Sequence, residues 1–433
     1  LDGNRDLHTA SRRERHKCIR DIALAEGEDA NAIAQEFYEL GMMPARVSVM
    51  ENGKTSETLI FPWAIASFNN KTVRIPLLKN KLGATDEERV NNSVQQLEYA
   101  FADGLSQLVR TKEKKIAIMK GNGELPDANI ANFIQNIRKY YFVAPFTLDS
   151  TAVNPGKTLL DLNDFDLIIE AKPTQAYTEK EKYLLDQYLM QGGKVIWLVE
   201  KVAMETDSLF NKTGSALAFP RDLNLNDLFF SYGLRINPVL INDIYSAPII
   251  LASGSGNDTQ FTPYPWFYSP LSTSPKTHPI INNIEAVKFE WANQIDTLRN
   301  EVKKTILLSS SPQSKIEGTP LELSLNILNT KPNLSTYIAG EQALAVLFEG
   351  RFKSAYKNRV KPFETDKQID VSKHTKMMLV AEGKVIKNKL KHGDALDLGF
   401  DSYTGNTNGN KELIINSGSN LLVDYCVIEI ISK

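Results

Sequence analysis

The sequence predicts a multi-domain α/β protein with a central, mainly parallel sheet and flanking α+β parts. Between residues 116 and 199, apolar runs of strand length alternate with segments of helical period. This alternation favours right-handed crossovers and a sheet covered on both faces. At 433 residues the chain is also too long for one ordinary core, which suggests two or three domains. We place them at residues 1–110, 111–265 and 266–433.

The first predicted domain combines a meander of short strands with one helix. Between residues 45 and 78, turn signals at Asn52-Gly53 and Asn69-Asn70 separate apolar runs of strand length. A capping box, Thr85-Asp86-Glu87-Glu88, then opens a helix. Its apolar residues recur at steps of three and four and predict one apolar stripe, made of Val90, Val94, Leu97, Phe101, Leu105 and Leu108.

The central part shows the alternation of strands and helices most clearly. Strand-like residues 116–119 lead into the turn Gly121-Asn122-Gly123, and a helix follows from Asp127. A second capping box at residues 178–181 opens a helix that stops at Gly192-Gly193, a pair suited to a left-handed cap. Further strands are predicted at residues 142–144, 167–169, 195–199, 245–252, 305–308, 343–348 and 377–380, and a last helix at 412–422.

Composition and charge exclude several classes of protein. Fifty basic against 52 acidic residues leave a net charge of −2, so the whole chain has no electrostatic preference for nucleic acid. No apolar run approaches the roughly 18 residues that span a bilayer, and no signal segment follows Leu1. We therefore expect a soluble chain. The two cysteines, Cys18 and Cys426, resemble neither a metal site nor a disulfide framework, and a bridge between them is left open.

Catalytic signatures are missing from the sequence. It contains no Walker-type phosphate loop, dinucleotide glycine fingerprint, His-Glu-x-x-His, Cys-x-x-Cys pair or G-x-S-x-G elbow. The five histidines, at positions 8, 16, 278, 374 and 392, are too scattered for a local relay. We therefore predict a protein that is not an enzyme and that uses no cofactor or metal.

Charged residues of both signs follow three of the predicted strands. Ligands of doubly wound sheets bind outside the carboxyl ends of the strands, so converging charges there would suit a polar or anionic ligand. An alternative explanation is that loop residues are exposed and often charged anyway. The pairs are Lys120 with Glu124, Glu170 with Lys172, and Glu200 with Lys201. As ligand-binding candidates we retain Lys120, Glu124, Lys172 and Lys201.

A proline-stiffened aromatic segment at residues 263–270 is the second candidate for a binding site. Tyr264 and Trp266, with Phe267 and Tyr268, could form a platform on which a saccharide or peptide stacks. Alternatively, the same rings pack inward and seal a domain junction.

Seven separate stretches of the sequence carry a family likeness. They read LIFPWAIA at 59–66, IPLLKNKLGA at 75–84, LEYAFA at 97–102, GNGELPD at 121–127, AFPRDLN at 218–224, PYPWFYSP at 263–270 and YKNRVKPF at 356–363. These stretches resemble the GldG family, the gliding-motility-associated ABC transporter auxiliary proteins of Bacteroidetes. The first forty or so residues match that family weakly.

The resemblance implies a central unit akin to flavodoxin and class I amidotransferases, without the nucleophile and without any catalytic residue. It implies an ATPase and a permease as partners, together with other proteins of the gliding or secretion apparatus. It further implies a membrane anchor on the periplasmic side of the inner membrane, so that this chain is a soluble ectodomain fragment. We therefore predict a non-catalytic, substrate-binding-like scaffold. The alternatives are a solute receptor for a saccharide or peptide, and a degenerate amidotransferase-like hydrolase.

Overall fold

A computed structural model of the chain describes residues 28–42, 44–51, 54–78, 85–109, 111–254, 258–273, 278–365 and 367–422. The turn at Asn52-Gly53 and both cysteines, Cys18 and Cys426, lie outside these residues. The chain divides into two compact units, residues 1–111 and 112–433.

Helices and short strands alternate along both units. The α-helices of the described residues are α1 (Glu28–Glu39), α2 (Asp86–Val109), α3 (Asp127–Ile137), α4 (Pro155–Leu162), α5 (Glu179–Met190), α6 (Asn226–Tyr232) and α7 (Asn410–Leu422). None of these helices combines the length and the apolar character needed to cross a membrane.

The strands fall into one large sheet and several small ones. The first twelve are β1 (Ala45–Glu51), β2 (Lys54–Ile60), β3 (Trp63–Phe68), β4 (Lys71–Pro76), β5 (Lys115–Lys120), β6 (Phe142–Thr147), β7 (Leu167–Ala171), β8 (Lys194–Leu198), β9 (Val202–Ala203), β10 (Ser215–Pro220), β11 (Leu234–Ile236) and β12 (Val239–Asp243). The next twelve are β13 (Ile249–Ser253), β14 (Gln260–Tyr264), β15 (Leu271–Ser272), β16 (Val287–Lys288), β17 (Ile295–Thr297), β18 (Lys303–Ser309), β19 (Ser314–Gly318), β20 (Leu321–Ser324), β21 (Ala343–Lys353), β22 (Val371–Val380), β23 (Leu390–Lys391) and β24 (Asp394–Ala395).

The first unit contains two hairpins and the capped helix α2. In the β3–β4 hairpin, Asn69 and Asn70 have φ values of 48° and 61°, the left-handed conformation that a tight hairpin turn requires. The predicted capping box is confirmed, because the Thr85 amide donates to the Glu88 carboxylate at 2.8 Å and the Glu88 amide donates to the Thr85 hydroxyl at 3.3 Å.

The predicted apolar stripe of α2 coincides only in part with the face of the helix that is buried. Leu108 is buried, but Val90 and Val94 are more than half exposed. The helix backbone approaches β4 closely at Gly104, where an added Cβ atom would lie 2.5 Å from the Ile75 side chain. Because Gly104 has no side chain, this face of α2 can approach β4 closely.

The second unit is built on a seven-stranded sheet with the order β18-β21-β22-β8-β7-β5-β6. The five strands from β22 to β6 are parallel, and β21 and β18 are added antiparallel at one end. Among the parallel strands the chain order reads 2-1-3-4-5, the flavodoxin-like doubly wound arrangement. The predicted fold class is thus confirmed.

Helices cover both faces of this sheet. Trp197 and Ile196, neighbours on β8, belong to different apolar clusters because successive strand residues point to opposite faces. One cluster includes residues of α4, α5 and α6, and the other includes residues of α3 and α7. All five residues of β7 are buried, as expected of a parallel strand covered on both sides.

The large sheet joins segments that are distant in the chain. β5 to β8 come from residues before 200, whereas β18, β21 and β22 come from residues after 300. The boundary predicted between residues 265 and 266 therefore falls inside one compact unit. The boundary predicted between residues 110 and 111 lies one residue from the division between the two units.

Replacing Thr178 with alanine should lower the free energy of unfolding by about 1 kcal/mol, the usual value of an N-cap. The Thr178 hydroxyl accepts a hydrogen bond from the Glu181 backbone amide at 3.3 Å. The Glu181 carboxylate accepts one from the Thr178 backbone amide at 2.7 Å. Urea denaturation measures the change. Thr178→Ser keeps the hydroxyl and should stay within a few tenths of the wild type; equal losses in both variants would contradict the capping role.

Candidate functional site

The carboxyl edge of the parallel strands brings together several of the predicted charged residues. The chain order reverses between β5 and β7, and doubly wound sheets bind their ligands at such a switch point. Glu124 lies in the loop after β5, Glu170 and Lys172 lie at the end of β7, and Glu200 and Lys201 follow β8.

Lys120, the last residue of β5, is engaged by its own loop. Its ammonium group donates to the Leu125 carbonyl at 2.8 Å and pairs with the Asp127 carboxylate at 2.7 Å. Glu124 accepts a hydrogen bond from the Asn122 amide at 2.9 Å. These contacts hold the turn between β5 and α3 in shape, and they take up the charge of Lys120 locally.

Lys172 is the centre of a partly buried group of ion pairs, which we call the edge ion network. Its ammonium group contacts the Glu205 carboxylate directly and lies 3.9 Å from Glu200. Lys384 pairs with Glu205 at 3.1 Å, and Arg221 lies 3.4 Å from Glu200. These five residues come from the loops after β7, β8, β9, β10 and β22, so the carboxyl edge is where they converge.

The edge ion network compensates charges that burial would otherwise penalise. The side chains of Lys172, Glu200 and Lys384 are only 8 %, 1 % and 4 % exposed. Burial alone would lower the pKa of Lys384, but four neighbouring acidic groups, of which Glu200 and Glu290 act most strongly, together outweigh it and raise that pKa. Burial would likewise raise the pKa of Glu205, yet Lys384 and Lys172 lower it. Glu200 is compensated less fully, because its own burial outweighs the nearby cations Lys384 and Lys172 and raises its pKa.

Backbone strain accompanies this network at Lys172. Its φ of 62° is a left-handed conformation that costs free energy for a residue with a side chain. Gly383 packs against it so closely that an added Cβ atom would lie 2.5 Å from the Lys172 Cγ atom. The fold therefore maintains an unfavourable backbone conformation in order to direct this ammonium group into the network.

Lys201 contributes to the edge mainly through its backbone. The Lys201 backbone N–H donates to the Oδ1 atom of the buried Asn293 side chain at 2.6 Å. The backbone N–H of Asn293 donates in turn to the Ala381 carbonyl at 2.9 Å. Asn293 thus links the segments that follow β8 and β22. Burial lowers the pKa of the Lys201 ammonium group, against the opposing charge of Asp222. Within the described residues no ion pair links Lys201 to the edge ion network.

Four charged residues of this edge were missed by the sequence analysis: Glu205, Arg221, Glu382 and Lys384. Glu382 is 1 % exposed and accepts the Lys384 amide at 2.7 Å. Burial, with the neighbouring charge of Glu200, raises its pKa well above the usual range. A signal was present, because Glu382 and Lys384 follow an apolar strand just as Glu200 follows β8. The sequence analysis places that strand in a separate C-terminal domain, so its charged residues are not considered there with those of β8.

A second polar group lies at the switch point itself and consists of Glu124, Glu170 and Tyr177, which we call the acidic cluster. Glu170 and Tyr177 are 0 % and 2 % exposed, and Glu124 is half-buried. Among the described residues, both Glu170 carboxylate oxygens, the Glu124 Oε1 atom and the Tyr177 hydroxyl have no hydrogen-bond partner. The Tyr177 hydroxyl faces Glu170 and favours its charged form, without closing a hydrogen bond of acceptable geometry.

Burial dominates the electrostatics of the acidic cluster. It raises the pKa of Glu170 well above the usual range, and the nearby charge of Glu124 raises it further. Burial also raises the pKa of Glu124, although backbone amides and Lys120 partly oppose the shift. The cluster therefore holds two carboxyl groups whose charged forms are both disfavoured.

The predicted aromatic platform is placed elsewhere, in a third apolar cluster. Tyr264 ends β14 opposite Ile249. Trp266 is 3 % exposed, and its ring centroid lies 5.6 Å from that of Trp291 and 5.5 Å from that of Tyr268. Because neighbouring rings enclose the indole, Trp266 offers no open face on which a ligand could stack. In the residues that the structure covers, no group of three or more His, Cys, Asp or Glu side chains is arranged to hold a metal ion.

A family model described as ABC-type uncharacterized transport system, an auxiliary ABC-transport family, matches residues 113–417. The chain belongs to this family. An uncharacterized protein of Borreliella burgdorferi (strain ATCC 35210 / DSM 4680 / CIP 102532 / B31) is 22 % identical to this auxiliary protein over 371 residues. The match covers 84 % of the chain but 66 % of the relative, so the chain spans slightly less than two thirds of that protein.

Two solved structures show a weak similarity to the chain. The mmIFT52 N-terminal domain is 12 % identical, with a TM-score of 0.41, over 72 % of this chain and 99 % of that one. A putative ThuA-like protein from Parabacteroides merdae is 10 % identical, with a TM-score of 0.33, over 71 % of this chain and 89 % of that one. At such scores the fold assignment rests on the sheet topology described above.

Replacing Lys172 with methionine should lower the free energy of unfolding of the auxiliary protein by about 3 kcal/mol, because it leaves buried carboxylates short of a partner. The matched control is Lys353→Met, which breaks a pair with Glu301 whose side chains are 54 % and 79 % exposed. That change should cost less than about 1 kcal/mol. Urea denaturation compares the two, and equal costs would contradict the compensating role of the network.

The Glu170 carboxyl group should make stability fall as pH rises. Its pKa is raised in the folded state, so between the ordinary glutamate pKa and the raised one the folded state binds more protons than the unfolded state. The stabilisation by the protonated Glu170 carboxyl group is complete below the ordinary glutamate pKa, and it is lost as the pH rises to the raised pKa. Glu170→Gln should abolish this decrease in stability. The free energy of unfolding of the variant, relative to that of the wild type, should therefore rise from pH 5 to pH 8, as measured by urea denaturation without divalent ions. The exposed control Glu322→Gln should run parallel to the wild type.

Proposed function

We propose that this protein is a non-catalytic accessory subunit of an ABC transport system that acts through its surfaces. The observation that carries the proposal is the family match over residues 113–417. Energy for transport would come from a separate ATPase subunit, which agrees with the missing phosphate-binding loop in the sequence.

The state of the carboxyl edge supports a role without turnover. This edge is where a doubly wound fold usually holds its reactive groups. Here the edge ion network and Asn293 occupy the segments that follow β7, β8 and β22. Lys172 has the strained backbone that nucleophile turns often show, but its ammonium group is held between two carboxylates. A charged, ion-paired amine is a poor nucleophile, because its lone pair carries a proton.

The finer part of the proposal follows the likeness to the GldG family. We propose a place in the gliding-motility branch of these proteins, on the periplasmic side of the inner membrane, with an anchor elsewhere in the intact protein. The partners would be the ATPase and the permease, together with other proteins of the gliding or secretion apparatus. The sequence stretches at 121–127, 218–224 and 356–363 lie within the matched region and motivate this choice.

Co-purification tests the proposed assembly. A tagged full-length protein, extracted from its own membranes in mild detergent, should retain an ATPase and a permease subunit in comparable amounts by mass spectrometry. An unrelated membrane protein with the same tag should retain neither. The proposal fails if the tagged protein repeatedly purifies without both subunits, or if the purified chain itself turns over amide or ester substrates.

A further inference from the structure

The acidic cluster combines features that no part of the accessory function explains. It gathers four buried oxygens without hydrogen-bond partners in the described chain: both of Glu170, one of Glu124 and the hydroxyl of Tyr177. Buried polar atoms are nearly always satisfied, and each unsatisfied one lowers the stability of the folded state. The cluster also lies where the chain order reverses, the position at which this fold class binds ligands.

The charge of the cluster is not compensated by the neighbouring cation. Lys120 acts on Glu124, but its ammonium group already pairs with Asp127 at 2.7 Å and donates to the Leu125 carbonyl at 2.8 Å. Carboxylates only accept hydrogen bonds, and the Tyr177 hydroxyl is the one donor within the cluster. One buried and one half-buried carboxyl group, with a buried phenol, therefore lack a positive partner among the described residues.

The loops that carry these side chains are fixed in place before any ligand binds. The Leu125 amide donates to the Ala171 carbonyl at 3.0 Å, and the Thr174 and Gln175 amides both donate to the Asn122 carbonyl at 2.9 Å. Gly123 has a φ of 77°, and an added Cβ atom there would lie 2.1 Å from the Thr174 hydroxyl. The loop after β5 is thus pinned to the loop after β7, which holds Glu124 against Glu170.

The donor atoms define the class of ligand. Oxygen ligands suit hard cations, whereas soft metals need thiolate or imidazole groups. Mg²⁺ in particular is commonly held by one or two carboxylates and keeps several water ligands, so it does not need a third acidic side chain. Glu124 is half-buried, whereas Glu170 is fully enclosed.

We propose that Glu124, Glu170 and Tyr177 bind one hard divalent cation, of the Mg²⁺ or Ca²⁺ class, at the switch point between β5 and β7. The two carboxylates supply the charge, and the phenol oxygen supplies a neutral contact. The cation neutralises the carboxyl groups and ties the loop after β5 to the end of β7.

Titration calorimetry on the full chain, first treated with a chelator, tests the site with MgCl2 and CaCl2 in separate arms. The wild type should bind one ion per chain. Glu170→Gln and Glu124→Gln should each weaken binding by at least about tenfold, the scale on which ligand-shell changes act. Tyr177→Phe should weaken it less. The control Glu382→Gln removes another buried carboxylate at the same edge and should bind like the wild type.

Two results would overturn the site. One is the absence of binding to the wild type at up to about 10 mM of either salt, above the range of weak protein sites. That outcome means that protons satisfy the cluster. The other is binding that persists unchanged in both Glu170→Gln and Glu124→Gln. If Glu170→Gln does not fold, Glu124→Gln alone decides, since its half-buried side chain tolerates the change.

Discussion

The parallel strands of the central sheet are buried on both faces, and this constraint decides where polar chemistry can occur. Residues in the middle of β5, β7 and β8 are apolar and enclosed, so charged groups collect where these strands end. At the carboxyl edge the loops are brought so close that charges must be paired or bound. The edge ion network and the acidic cluster both result from this constraint. The carboxylates of the network have cations beside them, whereas the carboxyl groups of the cluster do not.

The edge ion network and the acidic cluster differ because the loops that form them contact different segments of the chain. After β7 and β8 the chain meets residues from β9, β10 and β22, which bring cations such as Arg221 and Lys384 to the buried glutamates. After β5 the loop lies near residues 147–149 at Gly121 and meets the segment that leads into α5. That segment brings a tyrosine, and the available lysine is already held by Asp127. The strand order, rather than the local composition, thus explains why the edge ion network contains cations and the acidic cluster does not.

Much of the fold could be predicted from the sequence because its signals are local. Capping boxes at Thr85 and Thr178, strand-length apolar runs and the Gly192 stop depend on neighbours within a few residues. Membership of β18, β21 and β22 in the central sheet depends on pairing across more than a hundred residues, for which no local signal exists. The same limit applies to the site: Lys172 and Glu200 could be named, whereas Glu205 and Lys384 become partners only through the completed sheet. The inward direction of Trp266 likewise follows from Trp291, a residue on another segment.

The pairing of β22 with β8 has a consequence for biosynthesis. β22 spans Val371–Val380 and lies directly beside β8, Lys194–Leu198, so this strand pair closes a very large chain loop. Closing such a loop costs entropy before any contact repays it, which slows folding. During translation, β8 therefore waits with one edge open until the ribosome has released β22. A nascent chain of this kind exposes apolar strand edge for many seconds at ordinary elongation speeds, and it is a natural client for a chaperone.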